Sequence, residues 1–186
     1  FNNELYISLQ DRPRDYQHFY RTSDGVNFTV LSHITPYTTQ DRFFVINNRL
    51  FISQLSPVLS YSDDGINFQS SSGFYYSDSV FAMCESNGNI YAATYRDGIR
   101  VSTDNGESFP NKLNIFTSNY YSYSIAKYNQ TLYASVQRYS NSPIEVRISY
   151  DGNTWFYQKD VNPTQLRDLY SFESLNRLYA TPSKPG

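Results

Sequence analysis

The segment Ser62-Asp63-Asp64-Gly65-Ile66-Asn67-Phe68 decides the fold, because the chain repeats it. Thr22-Ser23-Asp24-Gly25-Val26-Asn27-Phe28 precedes it. Ser102-Thr103-Asp104-Asn105-Gly106-Glu107-Ser108-Phe109 and Ser149-Tyr150-Asp151-Gly152-Asn153-Thr154-Trp155 follow it. The shared form is Ser/Thr-x-Asp-(x)-Gly-x-x-aromatic, and its aspartates at 24, 64, 104 and 151 stand 40, 40 and 47 residues apart. A second pattern keeps step: Asn3-Glu4-Leu5-Tyr6, Asn48-Arg49-Leu50-Phe51, Asn89-Ile90-Tyr91, Thr131-Leu132-Tyr133 and Asn176-Arg177-Leu178-Tyr179. Two separate signatures on one period of 40–47 residues mark a repeat architecture.

The residue types of the first signature describe a tight turn. An aspartate accepts hydrogen bonds from backbone N–H groups just ahead of it, and glycine takes the φ > 0 position that a side chain would penalise. Ser or Thr adds a local bond, and the closing aromatic covers the turn. Each copy therefore reads as a β-hairpin, with flanking strands such as His18–Thr22 and Asn27–Leu31, or Glu145–Ser149 and Thr154–Gln158. The second signature reads as a turn leading into a strand: Leu5–Leu9, Leu50–Gln54, Ile90–Thr94 and Leu132–Gln137. Upstream of it lie further apolar stretches at Arg42–Ile46, Val80–Cys84, Tyr123–Lys127 and Leu169–Phe172. No segment carries a 3.6-residue period, so helix should be almost absent.

Composition agrees. Leu, Ile, Val and Phe make up 45 of 186 residues, enough for a core, and 19 Tyr with 13 Phe favour strands. With 15 Lys+Arg against 17 Asp+Glu, no net field attracts nucleic acid or anionic lipid. No apolar run is long enough to insert in a membrane. One cysteine and two histidines exclude an internal disulfide and a Cys/His zinc site. No dinucleotide, phosphate-loop or nucleophile-elbow motif is present, so no cofactor and no metal is expected. Cys84, in an apolar strand, reads as a small hydrophobe.

Four short strands per period is the pattern of a β-propeller blade. The turn signature resembles the Asp-box, or bacterial neuraminidase repeat, of sialidase-type propellers, sortilin-type receptors, photosystem assembly factors and propeller lectins. That resemblance implies an all-β propeller of four-stranded antiparallel blades. It gives Asp24, Gly25, Phe28, Asp64, Gly65, Phe68, Asp104, Gly106, Phe109, Asp151, Gly152 and Trp155 a structural role on the outer hairpins, away from the ligand face. The whole chain, 1–186, reads as one domain of blade units at about 1–40, 41–78, 79–121 and 122–165, with a partial fifth at 166–186. It opens at the second strand of a blade and stops in mid-blade. About four blades are therefore present, expected to belong to a larger ring or to one completed by a second copy. The alternative is a four-bladed ring in which Leu169–Phe172 lies beside Leu5–Leu9.

In propellers the connections between second and third strands, and from one blade to the next, share the ligand-binding face. Here those connections hold Arg12, Arg14, Tyr16, Tyr37, Tyr75, Tyr76, Arg96, Asp97, Tyr120, Tyr121, Arg138 and Tyr139, side chains suited to sugar faces, hydroxyls and carboxylates. The expected partner is a glycan, or alternatively a protein, bound without catalysis. The sialidase requirements of a Tyr–Glu pair and an early Arg-Ile-Pro segment are not met, so a hydrolase fragment ranks third. Asp41, Asp78 and Asp168, at the starts of inner strands, read as solvated strand ends rather than a catalytic pair. The lack of disulfides permits the cytosol, and an extracellular, cell-surface or virion-surface location also suits the composition.

Overall fold

The computed structural model describes residues 1–11, 16–31, 42–54, 58–76, 78–116, 120–139, 142–161, 166–172 and 177–182. At 10–11, 16–17, 159–161, 166–168, 170–172 and 180–182 it describes the backbone alone. Seventeen strands and no helix occur among the described residues. They are β1 (Leu5–Asp11), β2 (Tyr16–Thr22), β3 (Thr29–Val30), β4 (Arg42–Ile46), β5 (Arg49–Ser53), β6 (Leu59–Ser62), β7 (Gln69–Ser70), β8 (Val80–Ser86) and β9 (Asn89–Thr94). After them come β10 (Gly98–Ser102), β11 (Asn111–Lys112), β12 (Tyr121–Tyr128), β13 (Thr131–Gln137), β14 (Ile144–Ser149), β15 (Phe156–Val161), β16 (Leu166–Phe172) and β17 (Arg177–Pro182).

Every strand pairs antiparallel with its chain neighbour inside one of five sheets: β1–β3, β4–β7, β8–β11, β12–β15 and β16–β17. The outer strands β3, β7 and β11 are only two residues long, shorter than the Asn27–Leu31 strand that the sequence suggests. The Asp-Gly turn holds its own backbone until residue 28 and delays pairing. Strand β16 pairs with β17 and not with β1, which corrects the four-bladed alternative.

The sheets stack in sequence along their innermost strands, with β8 against β4 on one side and β12 on the other, and β12 in turn against β16. The second strands β5, β9 and β13 are buried on both faces, and their alternation shows what each face meets. On β9, Ile90 and Ala92 join the cluster with Phe51 and Phe109, between the second and third sheets. Tyr91 and Ala93 join Ile99, Leu132 and Val136 on the opposite face, between the third and fourth. A smaller cluster of Phe19, Leu31 and Ile52 joins the first and second sheets. The protein is a partial β-propeller whose core lies in layers between blades.

At one end of the sheets, two-residue hairpins join first to second strands. Asn47-Asn48, Asn87-Gly88 and Asn129-Gln130 all have positive φ, as such hairpins require. The Asp-Gly turns lie at this same end and share one bonding scheme. Gly65 N–H donates to Ser62 Oγ (2.8 Å), while Ile66 and Asn67 N–H groups donate to Asp64 Oδ1 (2.8 and 2.7 Å). Asn67 Nδ2 donates to Asp64 Oδ2 (2.7 Å). Asp24 is held the same way by Val26 and Asn27, and Asp151 by Asn153 and Thr154. Asp104 has one more residue in its turn, Asn105 at φ 58°, and accepts from Ser108.

The two sequence signatures meet between sheets. A Cβ added at Gly106 would lie 2.5 Å from the ring of Phe51 on the preceding sheet. At Gly65 it would lie 3.0 Å from Tyr6 Cζ, and at Gly152 2.9 Å from Tyr91 Cζ. The aromatic of one blade thus roofs the turn glycine of the next. Around the Phe51–Gly106 contact Arg49, itself buried, grips Asp63 with two bonds (2.7 and 2.9 Å). It also donates to the Asn105 carbonyl (2.9 Å) and stacks on Tyr61 at 4.4 Å.

Candidate functional site

At the opposite end, the starts of first strands and the ends of second strands come together, since the two run antiparallel. There β8 and β12 each carry a β-bulge, at Phe81 (between Val80 and Ala82) and at Tyr123 (between Ser122 and Ser124). The β16 backbone shows the same irregularity at Arg167. A bulge leaves one residue unpaired and re-aims its side chain, which is why such kinks often flank binding sites.

The two re-aimed rings complete a circuit of four. Phe81 stacks on Tyr123 (centroids 6.1 Å apart, 17° between planes), and Tyr123 on Tyr121 (6.4 Å, 23°). Tyr121 meets Tyr95 at 5.2 Å, and Tyr95 returns edge-on to Phe81 at 5.8 Å. Tyr95 is 39% exposed, and the other three rings are half-buried. Two cations flank the circuit. Arg42, at the start of β4, donates to the Phe81 carbonyl (2.7 Å) with its guanidinium 5.7 Å from the ring centre. The exposed Arg96 lies 5.8 Å from the Tyr95 ring centre.

Asp78 supports this patch from beneath. It is 1% exposed, and its Oδ1 accepts from the N–H groups of Ser79 and Arg96 (both 2.9 Å), which fixes the loop carrying Tyr95 and Arg96. Burial pushes its pKa above the usual carboxylate range, outweighing those two bonds. Asp78 is therefore a buried brace, and the expectation of a solvated strand end is corrected. Asp41 lies outside the described residues and Asp168 is described as backbone alone, so no acid pair for hydrolysis is on view.

The other sequence candidates fall into separate places. Asp97 is buried against Arg100 and Lys112, and Tyr120 is buried with its hydroxyl donating to the Leu113 carbonyl (2.9 Å) and accepting from Ile99 N–H (3.2 Å). Asp97 ties strands together within the third sheet, Tyr120 ties the third sheet to the fourth, and neither offers surface to a ligand, which corrects their reading as loop ligands. Burial raises the Tyr120 pKa as well. Tyr75 and Tyr76 are exposed, with Arg100 5.4 Å from the Tyr75 ring. Arg138 lies 4.6 Å from the Phe116 ring beside the exposed Tyr139. Arg12, Arg14 and Tyr37 lie outside the described residues, and Tyr16 is described only as backbone on β2. Of the sequence candidates, Arg96 and Tyr121 enter the four-ring patch. Phe81, Tyr95, Tyr123 and Arg42 were missed. The spacing of Tyr121 and Tyr123, two apart on one strand, was their readable signal.

Cys84 packs half-buried against the core cluster, and burial pushes its thiol up to about 12, in keeping with an inert side chain. Among the described residues no group of three His, Cys, Asp or Glu is placed to hold a metal ion.

The fold and site define an all-β protein of stacked antiparallel blades with an aromatic and cationic patch at the inner strand starts. No protein-family model matches the sequence, and no curated protein sequence does. Among solved structures the chain is similar to an alpha-L-arabinofuranosidase from Clostridium thermocellum. That likeness has 15% identity and a TM-score of 0.48 over 97% of this chain and 78% of the other.

Proposed function

We propose that the protein is a non-catalytic recognition module that binds glycans on the Phe81–Tyr95–Tyr121–Tyr123 patch, and that its four Asp-Gly turns are Asp-boxes serving the scaffold alone. The closed circuit of four rings at two strand bulges carries this reading. Sugar rings present C–H faces that lie against aromatic faces, and the flanking Arg42 and Arg96 suit hydroxyl or carboxylate oxygens. Asp78 is buried under the loop and braces it, a structural role that leaves the patch to binding.

A glycan array on the folded chain, followed by calorimetric titration of the best binder, tests the proposal. Saturable binding that weakens at least about tenfold in Phe81→Ala, a loss of about 1.4 kcal/mol, is the expected result. Absence of binding to any glycan would overturn it, and release of product from a chromogenic glycoside would place the chain among hydrolases instead.

A further inference from the structure

The seams on either side of the third sheet repeat one contact. Between the second and third sheets, Arg100 on β10 lies 5.4 Å from the ring of Tyr75, on the loop that leaves the second sheet. Between the third and fourth, Arg147 on β14 lies 4.9 Å from the ring of Phe116, on the loop that leaves the third. The two arginines are equivalent in register, paired with Ala92 and Ala134. Each seam also holds a second cation, and there the two differ. Asp97 gives one carboxylate oxygen to Arg100 and the other to Lys112, so it serves both cations. Glu145 gives its Oε2 to both Nε and Nη2 of Arg147, and no carboxylate among the described residues reaches Arg138. The adjoining stretches 117–119 and 140–141 contain only Thr, Ser and Asn.

Arg138 is exposed yet held in place. Its guanidinium lies 4.6 Å from the centre of the Phe116 ring, which is buried in the core cluster between the two sheets. Its backbone leads into a turn closed by Ser142. The Ser142 hydroxyl accepts from Tyr139 N–H (3.0 Å), Ser142 N–H donates to the Tyr139 carbonyl (2.9 Å), and the Ser142 carbonyl accepts from Gln137 Nε2 (2.6 Å). A guanidinium over a ring is attracted through its face, while its N–H donors lie in its plane and stay available. A donor fork positioned in advance forfeits little freedom on binding. Arg147 shares the Phe116 ring and adds its field, which Glu145 offsets only in part.

We propose that Arg138, backed by Arg147 on the same ring, forms a binding site for an oxyanion: the carboxylate, sulfate or phosphate group of a ligand. The oxyanion stands to Arg138 as Asp97 stands to Lys112 across the third sheet. None of these residues belongs to the four-ring patch, so the site stands whether or not that patch binds glycans.

Nuclear magnetic resonance titration of the 186-residue chain with sulfate, phosphate and acetate, with chloride holding the ionic strength constant, tests this. The side-chain Nε–Hε signal of Arg138 should shift saturably with at least one of the three, and the one that binds tightest names the group. The backbone amide of Tyr139 should follow the same curve. Binding read there should weaken at least about fivefold in Arg138→Gln, and less in Arg138→Lys, which keeps the charge but loses the fork. Glu145→Gln removes the opposing charge and should tighten binding about twofold or more. No saturable shift with any of the three anions would overturn the proposal. Saturation unchanged in Arg138→Gln would mean an adventitious ion only and overturn it equally.

Discussion

The two ends of the blades are built from the same repeat and have opposite characters. At the turn end, four Asp-Gly turns use one bonding scheme, and three of them share one roof from the neighbouring sheet. At the other end the blades diverge. The second sheet starts its inner strand with Arg42 in regular register, the third with a bulged Phe81 and the fourth with a bulged Tyr123. The turn end must satisfy backbone groups and close-pack against the next sheet, so few sequences serve. The inner-strand starts face less packing, so they vary, and variation there is what builds the four-ring patch.

Substitutions should separate the two ends, and the largest effect belongs to the roof. Phe51→Ala removes a fully buried ring between two sheets and should cost about 3–5 kcal/mol, lowering the melting temperature by roughly 10 °C or more in calorimetry. Next comes Gly106→Ala, which combines a left-handed φ of 89° with a clash against that immobile ring, for about 3 kcal/mol. Gly25→Ala keeps the same kind of φ, 73°, in open space and should cost only about 1 kcal/mol in the single chain. Equal losses at the two glycines would mean that the roof contributes nothing.

Acid should act on the turn end in the same sense but more gently. Backbone N–H groups of Thr154 and Asn153 hold the Asp151 carboxyl down to about 2. Desolvation opposes the same shift at Asp104, yet bonds from Ser102 and Ser108 together bring it to about 2. Asp24 and Asp64 are lowered too, by the N–H groups of Asn27 and Asn67 first. A depressed carboxylate stabilises the fold above its unfolded pKa, about 3.9, and loses that contribution as pH falls through the folded value. Melting temperature should therefore hold from neutral pH to about 4 and then fall towards 2. Replacing Asp64 with Ala should flatten part of that fall. The smallest stability effect is expected of Tyr123→Ala, which empties a half-buried bulge position and should move the melting temperature by only a few degrees.

The turn end was legible in the sequence because its bonds are local. Asp64 is satisfied by residues two and three places ahead, so spacing alone describes it. The roof was half legible: the signatures of Phe51 and Gly106 keep one period, but that they touch depends on how sheets stack. The patch was hardly legible. A bulge at Phe81 or Tyr123 is a property of strand pairing, and nothing in the composition of Val80-Phe81-Ala82 announces it. Asp97 and Tyr120 misled for a related reason. Their residue types suit ligands, but Lys112 on β11 reaches Asp97, and Leu113 just past β11 bonds Tyr120 from the neighbouring sheet. Local chemistry was readable wherever the partners lie within a few residues, and unreadable wherever they come from the next strand or sheet.

Calorimetric melting and glycan titration, run in parallel on Gly106→Ala and Tyr123→Ala, test the division of labour most directly. Gly106→Ala should lower the melting temperature by roughly 10 °C with affinity retained below the transition, and Tyr123→Ala should lose affinity with melting moved by only a few degrees. The reverse pattern, or affinity intact in Tyr123→Ala, would contradict it.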